Sequence, residues 1–135
     1  MRIKFSDLPH FERGYFEACF FTSDDNAPGG MDYRDTGRPE DLFDRVNESN
    51  IAKQIEDCQK FQEQNAALLA QPGDSEQNGM DFWYTRNHHG VGFWDRGYPD
   101  EISKPLTDAA HKFGEVNCFM GSVNCFTGSE EIFIE

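Results

Sequence analysis

Apolar residues return at helical intervals in three stretches of the chain. Ser6 and Asp7 are good N-cap residues, and Pro9 fits a first helical turn. Phe11, Tyr15, Ala18, Cys19 and Thr22 then share one face, which predicts a helix over about 8–22. Ser23-Asp24-Asp25-Asn26-Ala27-Pro28-Gly29-Gly30 ends it with turn chemistry, and Pro39-Glu40-Asp41-Leu42-Phe43 predicts a short second helix. Ile51, Ile55, Cys58, Phe61, Asn65, Leu68 and Leu69 form the stripe of a long amphipathic helix over about 50–71. Ser49 or Asn50 caps it, and Pro72-Gly73-Asp74-Ser75 stops it. Asn65, polar within that stripe, is expected to bond a backbone group. Pro105 opens a further helix with Leu106, Ala109, Ala110 and Phe113 inward and Gly114 as its C-cap.

Between the last two helices the pattern changes. Asp81-Phe82-Trp83-Tyr84-Thr85-Arg86 and Val91-Gly92-Phe93-Trp94-Asp95-Arg96 are rich in aromatic residues and flank Asn87-His88-His89-Gly90. Two such runs about an Asn…Gly turn predict a β-hairpin. Pairing Arg86 with Val91 sets Thr85 opposite Gly92, Tyr84 opposite Phe93, Trp83 opposite Trp94 and Asp81 opposite Arg96. Side chains alternate across a strand, so both tryptophans and an Asp81–Arg96 ion pair would share one face. The phenylalanines and Tyr84 would share the other, with Phe11, Tyr15, Ile55, Phe61, Phe82, Phe93 and Phe113 in one core.

Near the end, Val116-Asn117-Cys118-Phe119-Met120-Gly121-Ser122 is nearly repeated as Val123-Asn124-Cys125-Phe126-Thr127-Gly128-Ser129. Two copies are too few for a solenoid, so a local duplication supplies one or two short strands. Ile132-Phe133-Ile134 suits a last strand. The expected architecture is α+β over residues 1–135 as one domain. A small antiparallel sheet of three or four strands, with the aromatic hairpin at its centre, packs against two or three helices.

Composition sharpens this in two ways. Leu, Ile, Val and Phe together number 28 of 135 residues, and Phe supplies 13 of them, so the core has to be built from phenylalanine. The formal net charge is −13, spread along the chain without an acidic tail. Direct nucleic-acid binding needs a cationic footprint that this sequence lacks, and anionic membrane surfaces are disfavoured for the same reason. No apolar run reaches the length of a membrane span, and the first residues lack the apolar core of a signal peptide. Two explanations fit the charge: an ordinary acidic surface, or a surface that imitates nucleic acid for a protein that normally binds it.

Cys19, Cys58, Cys118 and Cys125 carry no Cys-x-x-Cys spacing, and no His-x-x-x-His occurs, so neither zinc nor any other cofactor is expected. Reduced thiols suit helix faces in a cytosol. The candidate chemistry gathers on the hairpin. Trp83 and Trp94 offer a stacking surface, and with Arg86 and His89 they make a candidate interaction site. The alternative is a small enzyme or ligand-binding site in which His89, Asp95, Arg86 and Asn87 supply acid–base and anchoring groups. Each has a plainer reading: tryptophans packed under helices, and turn residues that satisfy backbone groups.

The run D-F-W-Y-T-R-N-H-H-G-V-G-F-W-D-R at residues 81–96 resembles a motif, approximately D-F-W-x-T-R-N-G-H-G-x-G-F-W-D-R, in a family of small proteins encoded by tailed bacteriophages. The likeness extends to Gly14–Ala18, Ile55–Phe61 and Leu106–Ala110. His88 departs from the pattern, standing where it has Gly, and the duplicated segment 116–129 is unlike the family's shorter ending. The resemblance implies a phage product in the host bacterial cytoplasm and brings no established activity. Together with the charge it points to a protein that binds and modulates a host or phage protein, such as a basic nucleic-acid-handling or defence protein.

Overall fold

The computed structural model describes residues 3–22, 39–71, 73–123 and 130–135, with the backbone alone at 120–123 and 130. Among them the protein is mostly helical. After a 3-10 turn at Phe5–Asp7 come α1 (His10–Thr22), α2 (Pro39–Phe43), α3 (Glu48–Gln64), α4 (Ala66–Leu69) and α5 (Ser75–Arg86). A second 3-10 turn, Phe93–Asp95, leads to α6 (Asp100–His111), and β1 (Cys118–Val123) and β2 (Glu130–Ile134) close the order.

The expected three- or four-stranded sheet with a central aromatic hairpin is not what forms. Residues 75–86, which include the first half of that hairpin, are helix α5, and the second half contains a 3-10 turn. The Asp74 side chain accepts from the Gln77 amide at 3.0 Å and caps the helix, and Glu76 lies in its positive first turn. The residues that read as a helix stop thus begin the next one. From there Asn78, Gly79, Phe82, Thr85 and Arg86 recur at helical spacing and are buried. Burial on a helical period outweighs the β preference of aromatic side chains, which mainly measures fit to a half-buried surface.

The sheet has two strands, antiparallel, pairing Cys118 with Ile134, Phe119 with Phe133 and Met120 with Ile132. Its first strand comes from the first copy of the duplicated segment and its second contains Ile132-Phe133-Ile134. Most of the second copy lies outside the described residues, as do Cys125 and the turn at 23–30. Ile132 exchanges backbone bonds with Arg45 and Asn47, which fixes the strand to the start of α3.

Helix boundaries shift for identifiable reasons. Asn47 caps α3 by accepting from the Asn50 amide at 3.2 Å, ahead of Ser49 and Asn50. The long helix breaks at Asn65, whose side chain donates to the Phe61 carbonyl at 2.9 Å. α6 begins five residues before Pro105, which costs it one internal hydrogen bond. Gly114 follows its end at φ 78°.

The core is aromatic. Phe61 stacks on Phe82 with ring centroids 4.2 Å apart, and Phe93 and Phe11 pack on Phe61 at 5.8 and 6.1 Å. Phe11, Tyr15, Phe61, Phe82 and Phe93 are buried, while Ile55, Tyr84 and Phe113 are partly buried against the same cluster. α1 crosses α5 with backbones in contact at Gly14 and Gly79, where a Cβ on either would overlap a carbonyl oxygen of the other helix.

Candidate functional site

Arg86, at the last turn of α5, is the largest fully buried side chain among the described residues. Its Nε donates to the Gly114 carbonyl at 2.9 Å and its Nη2 to the Phe113 carbonyl at 3.0 Å. These carbonyls follow α6, so the guanidinium closes the negative end of that helix. Nη1 donates to the Tyr15 hydroxyl at 3.0 Å and to Asp57 Oδ2 at 3.2 Å. The cation also lies over the Phe82 ring, 5.4 Å from its centroid.

The network continues outward. Lys53 donates to Asp57 at 2.9 Å, Tyr15 donates to Gln54 Oε1, and Gln54 Nε2 donates to the Ile134 carbonyl at 3.4 Å. Burial pushes the Tyr15 hydroxyl well above its ordinary pKa, with the Arg86 charge opposing, so it remains a neutral donor. Arg86 therefore joins α1, α3, α5, the end of α6 and, through Gln54, β2. Sequence reasoning missed Asp57 as its ion-pair partner and Gln54 as the residue that extends the network beyond Tyr15. Their signal was present: polar residues one and two turns after Ile51, on the face that carries Cys58 and Phe61.

The other expected site residues separate. Trp83 is buried and donates from Nε1 to Thr22 Oγ1 at 2.8 Å, whereas Trp94 is 51% exposed. The shared tryptophan face does not form, because neighbours on a helix and a 3-10 turn do not alternate as strand residues do. Asn87 is the C-cap of α5, donating to the Trp83 carbonyl at 3.0 Å and accepting from the Val116 amide at 2.8 Å. His89 packs edge-on against Tyr84, 6.0 Å between centroids, and partial burial lowers its imidazole pKa. Asp95 is exposed. Of these four, Arg86 and Asn87 are bonded into the fold, His89 lies against Tyr84, Asp95 is exposed, and no hydrogen bond joins any two of them.

The Asp81–Arg96 pair does form. Arg96 reaches both oxygens of Asp81, the shortest contact being 2.7 Å, and Gln77 adds a bond at 3.1 Å. Burial raises the Asp81 pKa while Arg96 opposes the rise.

Among the described residues no group of three His, Cys, Asp or Glu side chains could hold a metal ion, and no helix is long and apolar enough to cross a membrane. Compared with protein-family models, with curated proteins and with solved structures, the chain finds no match.

What the described surface offers instead is charge. Thirteen acidic residues are exposed against five lysines, and three of those lysines (Lys53, Lys60 and Lys112) line one cleft. Elsewhere the exposed cations are Lys4 and Lys104 alone among the described residues. Trp94 stands out of this acidic surface beside Asp95, just ahead of Asp100 and Glu101 at the start of α6.

Proposed function

We propose that this chain is a phage-encoded acidic protein that works in the host bacterial cytoplasm by binding and modulating a basic host or phage protein, one that handles nucleic acid or serves in defence. The observation that carries the reading is the segregation of charge: carboxylates cover the described surface while most exposed lysines are drawn into one cleft. Such a surface steers a cationic partner and rejects nucleic acid itself. Trp94 is the aromatic anchor, since exposed tryptophans tend to carry interface energy. The likeness of residues 81–96 to the phage motif supplies the setting. Arg86 and Trp83, interior groups, have no part in contact with the protein partner.

The test is capture from bacterial lysate on the immobilised protein at low and high salt, followed by binding kinetics with the captured partner. Salt should slow association, and Trp94→Ala should speed dissociation and cost about 2 kcal/mol in affinity. Salt-insensitive association would overturn charge mimicry. A folded Trp94→Ala variant with wild-type kinetics would remove the anchor.

A further inference from the structure

One cleft, of about 520 Å³, contradicts the charge of the rest of the molecule. Of the chain's 12 Lys and Arg residues, four line it: Lys53 and Lys60 on α3, Arg86 on α5, and Lys112 just beyond α6. The acidic side chains in its lining are Asp57 and Glu135, so its side chains sum to a positive charge inside a protein of net −13. Concentrating cations this way raises the free energy of the empty protein, and an anion relieves it.

The donors in the cleft are not all used. Arg86, its side chain 1% exposed, has five N–H groups, of which four are engaged in the bonds described, leaving one on Nη2 without a partner among the described residues. Lys112 makes no ion pair among the described residues. Among the described residues Lys60 is tied only to Glu56, an exposed i,i+4 pair of the kind that contributes little and is readily exchanged. Phe113, half-buried, gives the wall an aromatic ring, and Gln54 and Asn50 add amides. A volume of this size suits a small organic molecule, and several lysines about one buried arginine suit a phosphate with more than one charge.

We propose that this cleft is a binding site for a small organic phosphate monoester. Its phosphate would lie between Lys112, Lys60 and the open Nη2–H of Arg86, and its organic part along Phe113. The site is independent of the protein-binding surface at Trp94 and neither needs nor excludes it.

The test is calorimetric titration of the full chain with adenosine 5′-monophosphate, inorganic phosphate and adenosine at constant ionic strength. The monophosphate is expected to bind with a dissociation constant below about 1 mM, phosphate more weakly, and adenosine not at all. Lys112→Glu should weaken monophosphate binding at least about tenfold, while Lys104→Glu, a charge reversal of an exposed lysine on α6 outside the cleft, should leave it unchanged. Both substitutions are at exposed positions, and unchanged melting curves would show that folding is intact. No heat with either phosphate probe, or equal weakening by both substitutions, would overturn the proposal.

Discussion

Gly79 of α5 presses against the carbonyl oxygen of Phe11 in α1 so closely that a Cβ at Gly79 would overlap it, with the Tyr15 amide nitrogen only 3.0 Å away. Gly14 meets the carbonyl of Glu76 in the same manner. Glycine is needed at this crossing for close approach, and the obstacle is backbone, which cannot swing aside as a side chain does. Gly79→Ala is therefore expected to cost about 3 kcal/mol, the upper end of ordinary overpacking. Urea unfolding measures it. A loss under about 0.5 kcal/mol would place the two helices farther apart than the structure has them.

Arg86→Met keeps an apolar stem and removes the guanidinium, leaving Asp57 with Lys53 as its cation and stranding the Phe113 and Gly114 carbonyls. Breaking one half of a buried ion pair costs about 3–5 kcal/mol, and the loss here should lie near the lower end because Lys53 still pairs with Asp57. Adding Asp57→Asn removes that charge and should recover part of the loss. A double variant no more stable than Arg86→Met alone would show that the carbonyl bonds, not the Asp57 pair, carry the effect.

His88 holds φ 57°, a left-handed conformation that non-glycine residues adopt at a cost. Its amide donates to Thr85 and that of His89 to Tyr84, closing α5 in a Schellman turn, with the His89 and Tyr84 rings supplying the usual flanking contact. His88→Gly should gain about 0.5 kcal/mol, the relief of strain less the entropy cost of glycine. His88→Ala, which keeps the strain and loses the stacking on His111, should not gain. Melting curves separate the two. A gain with alanine would mean that the ring, not the backbone, is the burden.

Glu17 titrates at about 7 instead of 4.5, because burial disfavours its charge and Glu76 beside it is a like charge that shares a proton. The folded protein binds more protons than the unfolded chain between these values, so stability falls as pH rises from about 4.5 to about 7. Glu17→Gln keeps a donor to Glu76 and cannot ionise. The variant should match wild type near pH 4.5 and be more stable near pH 8, with urea midpoints as the readout. An equal difference at both pH values would exclude the shared proton.

The legible parts of the fold were those written in short-range pattern: α1 and α3, the short helix at Pro39, the strand at 132–134, the Asn65 backbone bond and the phenylalanine core. The aromatic stretch reads as strand because Phe82-Trp83-Tyr84-Thr85 carries β preference and Gly79 interrupts a helical pattern. The corrective signal was local, Asp74 followed three residues later by Gln77, an N-terminal capping signature. The candidate site was less legible, because Arg86 and Trp83 look like surface anchors until α1, α3 and α6 close over them.

The sequence by itself determined two of the neighbour pairs in 81–96, although the tryptophan pair it also implied does not form. Asp81 pairs with Arg96, and the Phe93 amide donates to Thr85 Oγ1 at 3.2 Å with Gly92 alongside, close to the expected register. Those contacts follow from complementary chemistry at equal distances either side of the Asn87–Gly90 turn. They survive because the chain still folds back at Asn87–Gly90, which returns the second segment along α5 although that segment is irregular apart from Phe93–Asp95. Only the tertiary structure decided between compact and extended. α1 offers Gly14 as a seat for the Glu76 turn and the Phe11 carbonyl as the stop for Gly79, and both are met only if residues 75–86 wind into a helix. Winding them carries Trp83 and Arg86 inward and leaves Trp94 outside.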